Sequence, residues 1–588
     1  MSTIFFRLPR LTILIMMVIL IGGLGAMFSL GRQEDPTIVD RYGFVLTTLP
    51  GADAERMEAL VTEPLEAALM ELPEVDEVES VSRPGVSQVS LDIRDDLTEA
   101  EVDDAWTLIR QKVEFARSKF PAGTNAPDIH RQYVGAATLV VGLVWEGEGD
   151  PPLAVMGRMA LNLQDRFQRL PGTELTDLYG VPAEEVRIVV DPEALSAAGL
   201  TVRQAASLIA SADSKTPAGR LRTDGGNIGL EVGGEFDNIS RIRSVPLLQR
   251  HDGTAVRVSD VATVQKGFED PPVRMALESG KRTIFVAAFI SEGQRVDKWA
   301  ETAHRVVRDF AADTPPGLRI DTVFDQSTYT NARLNGLAKN LLMSACIVFV
   351  VLFFTMGWRS ALVVGSAIPL TVALVLILFK VFGNPLHQMS VTGLVISLGL
   401  LIDNAIVVVD DFDQMRAKGA SRFQAIDKSL RHLFAPLAAS TLTTALAFAP
   451  IAMLPGGAGE FIGMIGLSVV YSITASFVIS VTLIPAMAGW FDRTRGWEMG
   501  AHKRPRRWWR DGVSVDFISD GYRATIEAVL RFPPLGIVLA VAPAILGFYL
   551  VGQLPSQFFP QTERDQFQIT MQLPPEANRY DCIDQACE

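Results

Sequence analysis

Apolar positions follow two patterns along this chain. From about Pro36 to Val323 they alternate, or recur at helical spacing, in runs too short to cross a bilayer. Outside that region they merge into continuous stretches: Leu11–Leu30 before it, and Leu337–Met356, Ala361–Val381, Met389–Val409, Leu433–Leu454, Phe461–Trp490 and Leu535–Leu554 after it. Each stretch is long enough for a helix to span the hydrocarbon layer. Arg7 and Arg10 precede the first one, and its apolar length exceeds the roughly 7–15 residues of a signal-peptide core. It therefore reads as an uncleaved span with the N-terminus in the cytoplasm.

The polar region reads as two mixed α/β modules. Tyr42–Leu49 predicts a strand, Ala54–Glu71 a helix, Val75–Ser82 and Val86–Ile93 a hairpin around Arg83-Pro84-Gly85, and Glu99–Lys119 a second helix. The order β-α-β-β-α is that of a split βαβ sandwich, which one more strand completes. A second round starts with strand Thr138–Trp145 and helix Leu153–Leu170. Strands Leu175–Gly180, Val186–Val190 and Thr283–Ile290, helix Val296–Ala312 and strand Leu318–Phe324 follow. The Gly-rich stretch 210–270, with the tip Thr223-Asp224-Gly225-Gly226, reads as an inserted docking subdomain.

One apolar run carries chemistry. Val391–Asp411 reads VTGLVISLGLLIDNAIVVVDD and places Asp403 near the bilayer midplane, where insertion costs roughly 2.5–3.5 kcal/mol for Asp. Such a carboxylate is either an ion-handling group or a structural one bonded to neighbouring helices. Asn404 sits about 100° around the helix and cannot titrate. No Lys or Arg lies at the centre of any span; Lys380 is near an outer end.

Charge fixes the topology. The predicted inner connections carry Arg359; Arg416, Lys418, Arg422, Lys428 and Arg431; and Arg493, Arg495, Lys503, Arg504, Arg506, Arg507 and Arg510, whereas outer loops Phe382–Gln388 and Pro455–Glu460 carry no Lys or Arg. Trp508 and Trp509 beside the last group suit an amphipathic helix on the inner surface. The 588 residues carry a net charge of −14, which argues against nucleic acid as the main partner. Three cysteines give no disulfide framework. There is no GxxxxGK[ST] loop, no HExxH helix and no nucleophile–base constellation, so an enzyme is not indicated.

The chain also repeats itself. At a constant offset Arg7, Pro9 and Leu11 meet Arg531, Pro533 and Leu535, Pro36 meets Pro560, and Leu49-Pro50 meets Leu573-Pro574. A second copy begins here, as in parallel-repeat transporters of roughly 1,050 residues if the offset is doubled. A cationic partner for Asp403 is then expected in that second copy.

Gly399–Asp411 (GLLIDNAIVVVDD), Leu49–Ala54 (LPGADA) and the order of one span, a large polar domain, five spans and a further span resemble the resistance–nodulation–division (RND) efflux transporters, in particular the hydrophobe/amphiphile branch. The resemblance implies an α-helical membrane protein with a large periplasmic α+β domain of split βαβ (ferredoxin-like) porter subdomains. Its expected domains are a first span at 1–35, porter subdomains at 36–135 and 136–330, spans two to six at 331–490, a basic amphipathic segment at 491–530, a seventh span at 531–556 and the start of a truncated third porter subdomain at 557–588. It implies a homotrimer in the bacterial inner membrane, in contact with lipid, a periplasmic adaptor and an outer-membrane channel. Export of small amphiphiles would be driven by the proton gradient without a cofactor. Asp403 matches the first relay aspartate of the family motif and Asn404 the second relay position. Asp410 falls where the family often has Glu, and extends the proton path toward the cytoplasm or is a snorkelling end charge. Tyr179 matches an aromatic position of the drug pocket and is either a ligand contact or strand packing, whereas another aromatic position of the pocket reads Ala137, which leaves the substrate open. Movement is expected to pass through 325–340, where the last polar strand enters the second span. Heavy-metal export, with Met57, Met70, Met156, Met159 and Met275 as candidate ligands, a lipid- or protein-export accessory, and a non-transporting fragment are the alternatives.

Overall fold

The computed structural model describes residues 3–492, apart from 134, 150, 214, 224–225, 234, 250–254, 271 and 273, and residues 516–554. The tip residues Asp224 and Gly225, the basic stretch with Trp508 and Trp509, and segment 557–588 lie outside the described residues.

The chain enters through α1 (Pro9–Ser29), whose proline sits in the first turn, where a missing N–H is harmless. The first α/β unit comprises β1 (Tyr42–Thr48), α2 (residues 54–69, with a π-turn at Glu58–Thr62), β2 (Val75–Arg83), β3 (Val86–Ile93), α3 (Glu99–Arg117) and β4 (Asp128–Arg131). Its antiparallel sheet has the order β2–β3–β1–β4, so β4 is the strand that completes the split βαβ sandwich. Alternate residues Val89, Leu91 and Ile93 point into the core against Leu65, Trp106 and Ile109. Trp106 keeps its indole N–H satisfied by donating to the Asp40 carbonyl at 3.0 Å. Helix α3 starts with a capping box in which the Thr98 N–H donates to Glu101 Oε2 at 2.8 Å.

The second unit repeats this plan. It uses β5 (Leu139–Trp145), α4 (Leu153–Gln168), β6 (Thr173–Tyr179) and, later, β14 (Lys281–Ile290), α5 (Val296–Ala312) and β15 (Leu318–Asp325). Strands run β15–β5–β14, with β6 on the far side of β14. Between β6 and β14 come β7 (Glu184–Val190), β8 (Lys215–Thr223), β9 (Gly226–Gly233), β10 (Pro246–Gln249), β11 (Ala255–Arg257), β12 (Ala262–Phe268) and the short β13 (Ala276–Glu278) beside β14. Strand β7, read from sequence as part of the second sandwich, pairs instead with β12 in a two-stranded neck. Beyond the neck a separate small core gathers Leu195, Ala205, Ile242, Val258 and Val264.

Strand β15 runs without a loop into α6 (Gln326–Met356). Then follow α7 (Trp358–Gly365), α8 (Ala367–Val381), α9 (Gln388–Ala417), α10 (Arg422–Ala452), α11 (Gly456–Phe491), α12 (Asp516–Arg531) and α13 (Pro533–Val551). Among the described residues six helices are long and apolar enough to cross a membrane: α1, α6, α7 with α8, α9, α10 and α11. The pair around Phe532, bent by 101°, makes up to seven. Helices α8, α9 and α11 form the centre, while α6 and α10 leave most of their apolar surface uncovered.

The first α/β unit stands on α11. Glu460 accepts from the Val39 N–H at 2.8 Å and from Arg41 Nη2 at 2.7 Å, and the Gly456 N–H donates to the Asp95 carbonyl at 3.1 Å.

Candidate functional site

The Asp403 helix, α9, owes its placement to a face of small residues on α11. Ser468, Ser472, Ser476 and Ser480 recur every fourth residue, share one face and are fully buried. Opposite them, a Cβ added at Gly393 would lie 2.6 Å from Ser468 Cβ and 2.7 Å from the Ile465 carbonyl, so only glycine fits. Ser476 Oγ donates to the Leu401 carbonyl at 2.5 Å, and near the other end Arg416 Nε donates to Asp492 Oδ2 at 2.6 Å. The pairs Gly393–Ser468, Leu401–Ser476 and Arg416–Asp492 advance in step, so α9 and α11 run parallel.

This contact divides α9 into two faces. Leu394, Leu398, Leu401, Ala405, Val408 and Phe412 are buried, and Asn404 lies with them at 9% exposure. Asp403 and Asp410 are exposed, on a stripe with Ile396 and Val407 that the rest of the described chain leaves uncovered. A Cβ at Gly399, on the same stripe, would meet nothing within 4 Å. The two adjacent relay candidates thus diverge: Asp403 faces outward and Asn404 packs inward. Asp410, two turns on, shares the Asp403 face and accepts from Gln414 Nε2 at 2.8 Å. Among the described residues no ion pair reaches Asp403. A carboxylate on an uncovered apolar stripe is a group whose cost depends on its charge: neutral it sits there cheaply, ionised it calls for a cation.

Toward the C-terminal end of α9, Asp413 Oδ2 accepts from Ser360 Oγ at 2.9 Å, and Asp492 is held between Arg416 and Arg422. At the other end His387 caps the helix from a fully buried position. Neither His387 nor the serine face stood out from the sequence; the serine spacing is the signal that could have revealed the contact face.

A profile of the AcrB/AcrD/AcrF family matches residues 1–581. The chain belongs to that family, and so to the RND transporters. Among curated relatives it is 24% identical to an uncharacterized transporter of Haemophilus influenzae over 490 residues, which are 83% of this chain and 47% of the relative. It is 23% identical to the multidrug resistance protein MdtC of Klebsiella pneumoniae over 562 residues, 95% of this chain and 54% of the relative. Against MdtC of an Enterobacter species the identity is 22% over the same span. The chain covers about half the length of these relatives.

Of the remaining candidates in this RND chain, Tyr179 ends β6, pairs with Phe285 and is 42% exposed, while Ala137 is half-buried ahead of β5. Gly180, at φ +82°, packs directly on Ala276: a Cβ there would lie 2.6 Å from the Ala276 Cβ. Beside it opens a cavity of about 370 Å³ lined by Leu153, Pro182, Phe268, Met275 and Arg282 among others; Tyr179 and Ala137 are not in its lining. Met57 and Met156 fill the cores of different α/β units and Met70 is exposed, so these methionines do not converge.

Proposed function

We propose that this chain is the membrane-and-porter portion of a proton-driven RND exporter of small amphiphilic molecules, resident in the bacterial inner membrane with both α/β units in the periplasm. The supporting observation is Asp403, mid-way along an apolar helix and on the stripe that the described residues leave open. In this reading further membrane helices cover the stripe and bring a cation to Asp403. A proton arriving from the periplasm neutralises the carboxylate and releases that cation, and α9 shifts; loss of the proton to the cytoplasm, with Asp410 on the exit side, resets it. The α/β units convert the shift into substrate passage, with Tyr179 and Ala137 as the pocket positions. Assembly as a homotrimer with a periplasmic adaptor and an outer-membrane channel belongs to the same proposal, as does the relation to multidrug resistance carried by the name of the MdtC relatives.

The test is export of a cationic amphiphilic dye from an efflux-deficient bacterium carrying the gene that encodes this chain. Asp403→Asn is expected to abolish export at unchanged expression. Export at the wild-type rate in that variant would overturn the reading.

A further inference from the structure

Three segments far apart in sequence meet where the second α/β unit rests on the membrane helices. The strap after α1, residues 31–35, is bonded on one edge to the residues that open α9: the Leu386 N–H donates to the Gly31 carbonyl at 2.8 Å, the Gln33 N–H to Leu386 at 3.2 Å and the Gln388 N–H to Glu34 at 3.0 Å. On its other edge it is bonded to the start of α5: the Arg32 N–H donates to Gln294 at 3.1 Å and the Val296 N–H to Arg32 at 3.1 Å. The fit is tight, since a Cβ at Gly31 would fall 2.1 Å from the Gly293 carbonyl. Side chains add to it. Arg295 Nη1 donates to the Phe28 carbonyl at the end of α1 (2.7 Å), its Nε donates to Asp297 at 3.0 Å, and Arg32 lies 3.8 Å from Asp297. Burial works to raise the Asp297 carboxyl, but Arg295 and Arg32 outweigh it and hold it below the usual carboxylate range.

From that joint α5 runs over the second sheet. Trp299 Nε1 donates to Thr173 Oγ1 at 3.0 Å at the start of β6, the strand that ends at Tyr179. Further along, His304 Nε2 lies 2.8 Å from Asp325 Oδ2, and Asp325 Oδ1 accepts from the Ser327 N–H as the N-cap of α6. A 17-residue helix is stiff along its axis, and its membrane end is fastened by backbone bonds with no slack loop. Displacing the outer end of α9 therefore displaces the strap and the start of α5, and with it the start of β6.

We propose that the strap and α5 form a linkage that carries the movement of the Asp403 helix into the second sheet, with Arg32 and Asp297 as positioning residues at its membrane end and Trp299 as its contact with β6. This is a second route beside the direct continuation of β15 into α6, and it rests on the proton-coupling reading only for what moves α9.

The experiment is peptide-resolved hydrogen–deuterium exchange on the detergent-solubilised protein, comparing wild type, Asp403→Asn, Asp297→Asn and the double variant. Asp403→Asn is expected to change exchange several-fold in peptides covering 31–35 and 386–388, and also in 294–300 and 173–179. In the Asp297→Asn background the change should persist at 386–388 and shrink at 294–300 and 173–179, the backbone bonds of the strap remaining in place. In the export assay Asp297→Asn should lower the maximal rate at least fivefold with an unchanged KM, and Asp297→Glu should restore part of it. Unchanged protection in peptides of β1 and β3 certifies that the variants are folded, and Arg32→Lys replaces Asp297→Asn if they are not. An Asp403→Asn effect confined to α9, or one that reaches 173–179 equally with and without Asp297, would overturn the linkage. Retained export in Asp403→Asn would instead count against proton coupling, while the exchange pattern still decides the linkage.

Discussion

His387 makes the stability of this fold depend on pH in a calculable way. The residue is 1% exposed, its ring Nδ1 accepts from the Ser390 N–H at 3.4 Å, and its backbone N–H donates to Ser390 Oγ at 3.0 Å. Burial pushes the imidazole from 6.5 down to about 4. The unfolded chain thus takes up a proton near pH 6.5, while the folded chain refuses it until about pH 4. The stability this group contributes is fully present above 6.5 and is lost as the pH falls toward 4. At 1.36 kcal/mol per unit, the loss is about 2 kcal/mol by pH 5 and about 3 kcal/mol by pH 4. His387→Asn retains a good N-cap and removes the titration. Denaturant unfolding followed by tryptophan fluorescence at several pH values, on wild type and variant side by side, cancels the carboxylates common to both. The difference in unfolding free energy should change by about 2 kcal/mol between pH 7 and pH 5, to the disadvantage of the wild type. Parallel curves would refute a buried neutral histidine at this position.

Two further outcomes follow from the packing. Gly393→Ala should destabilise by about 1–3 kcal/mol, because the new methyl meets Ser468 and a backbone carbonyl, whereas Gly399→Ala on the open stripe should be neutral or stabilising; thermal unfolding of the pair checks the contrast. Glu460→Ala strips the counter-charge from Arg41, which is only 9% exposed, and the acceptor from Val39; a loss of about 3 kcal/mol is expected, with Glu460→Gln milder, read by the same unfolding measurement.

Local patterns revealed what depends on local patterns. Hydrophobic runs located the six apolar helices, and alternation with turn residues located both β-α-β-β-α series, because burial on one face imposes its period on the sequence. Val186–Val190 reads as a strand of the second sandwich but is not one, because a strand's composition does not name its partner: it pairs with β12, more than seventy residues on, outside that sheet. The motif pointed to Asp403 and Asn404 together, but their opposite environments follow from the serine face of α11, which is visible only once the two helices are in register. The joint around Arg32 left no trace in the sequence, since it is built mostly from backbone N–H and carbonyl groups that every residue carries.

The uncovered stripe of α9 also bears on how the protein is made. About a dozen Leu, Ile and Val residues lie between Val391 and Val409, and each favours insertion by roughly 0.3–0.6 kcal/mol, against roughly 2.5–3.5 kcal/mol for Asp403. The balance is favourable, so α9 can enter the bilayer on its own, before α11 has been synthesised. The membrane-insertion machinery therefore releases a helix whose largest penalty, the carboxylate, lies on one side, with Asn404 on the other. The helix can wait in lipid until the serine face of α11 arrives to pack on its other side.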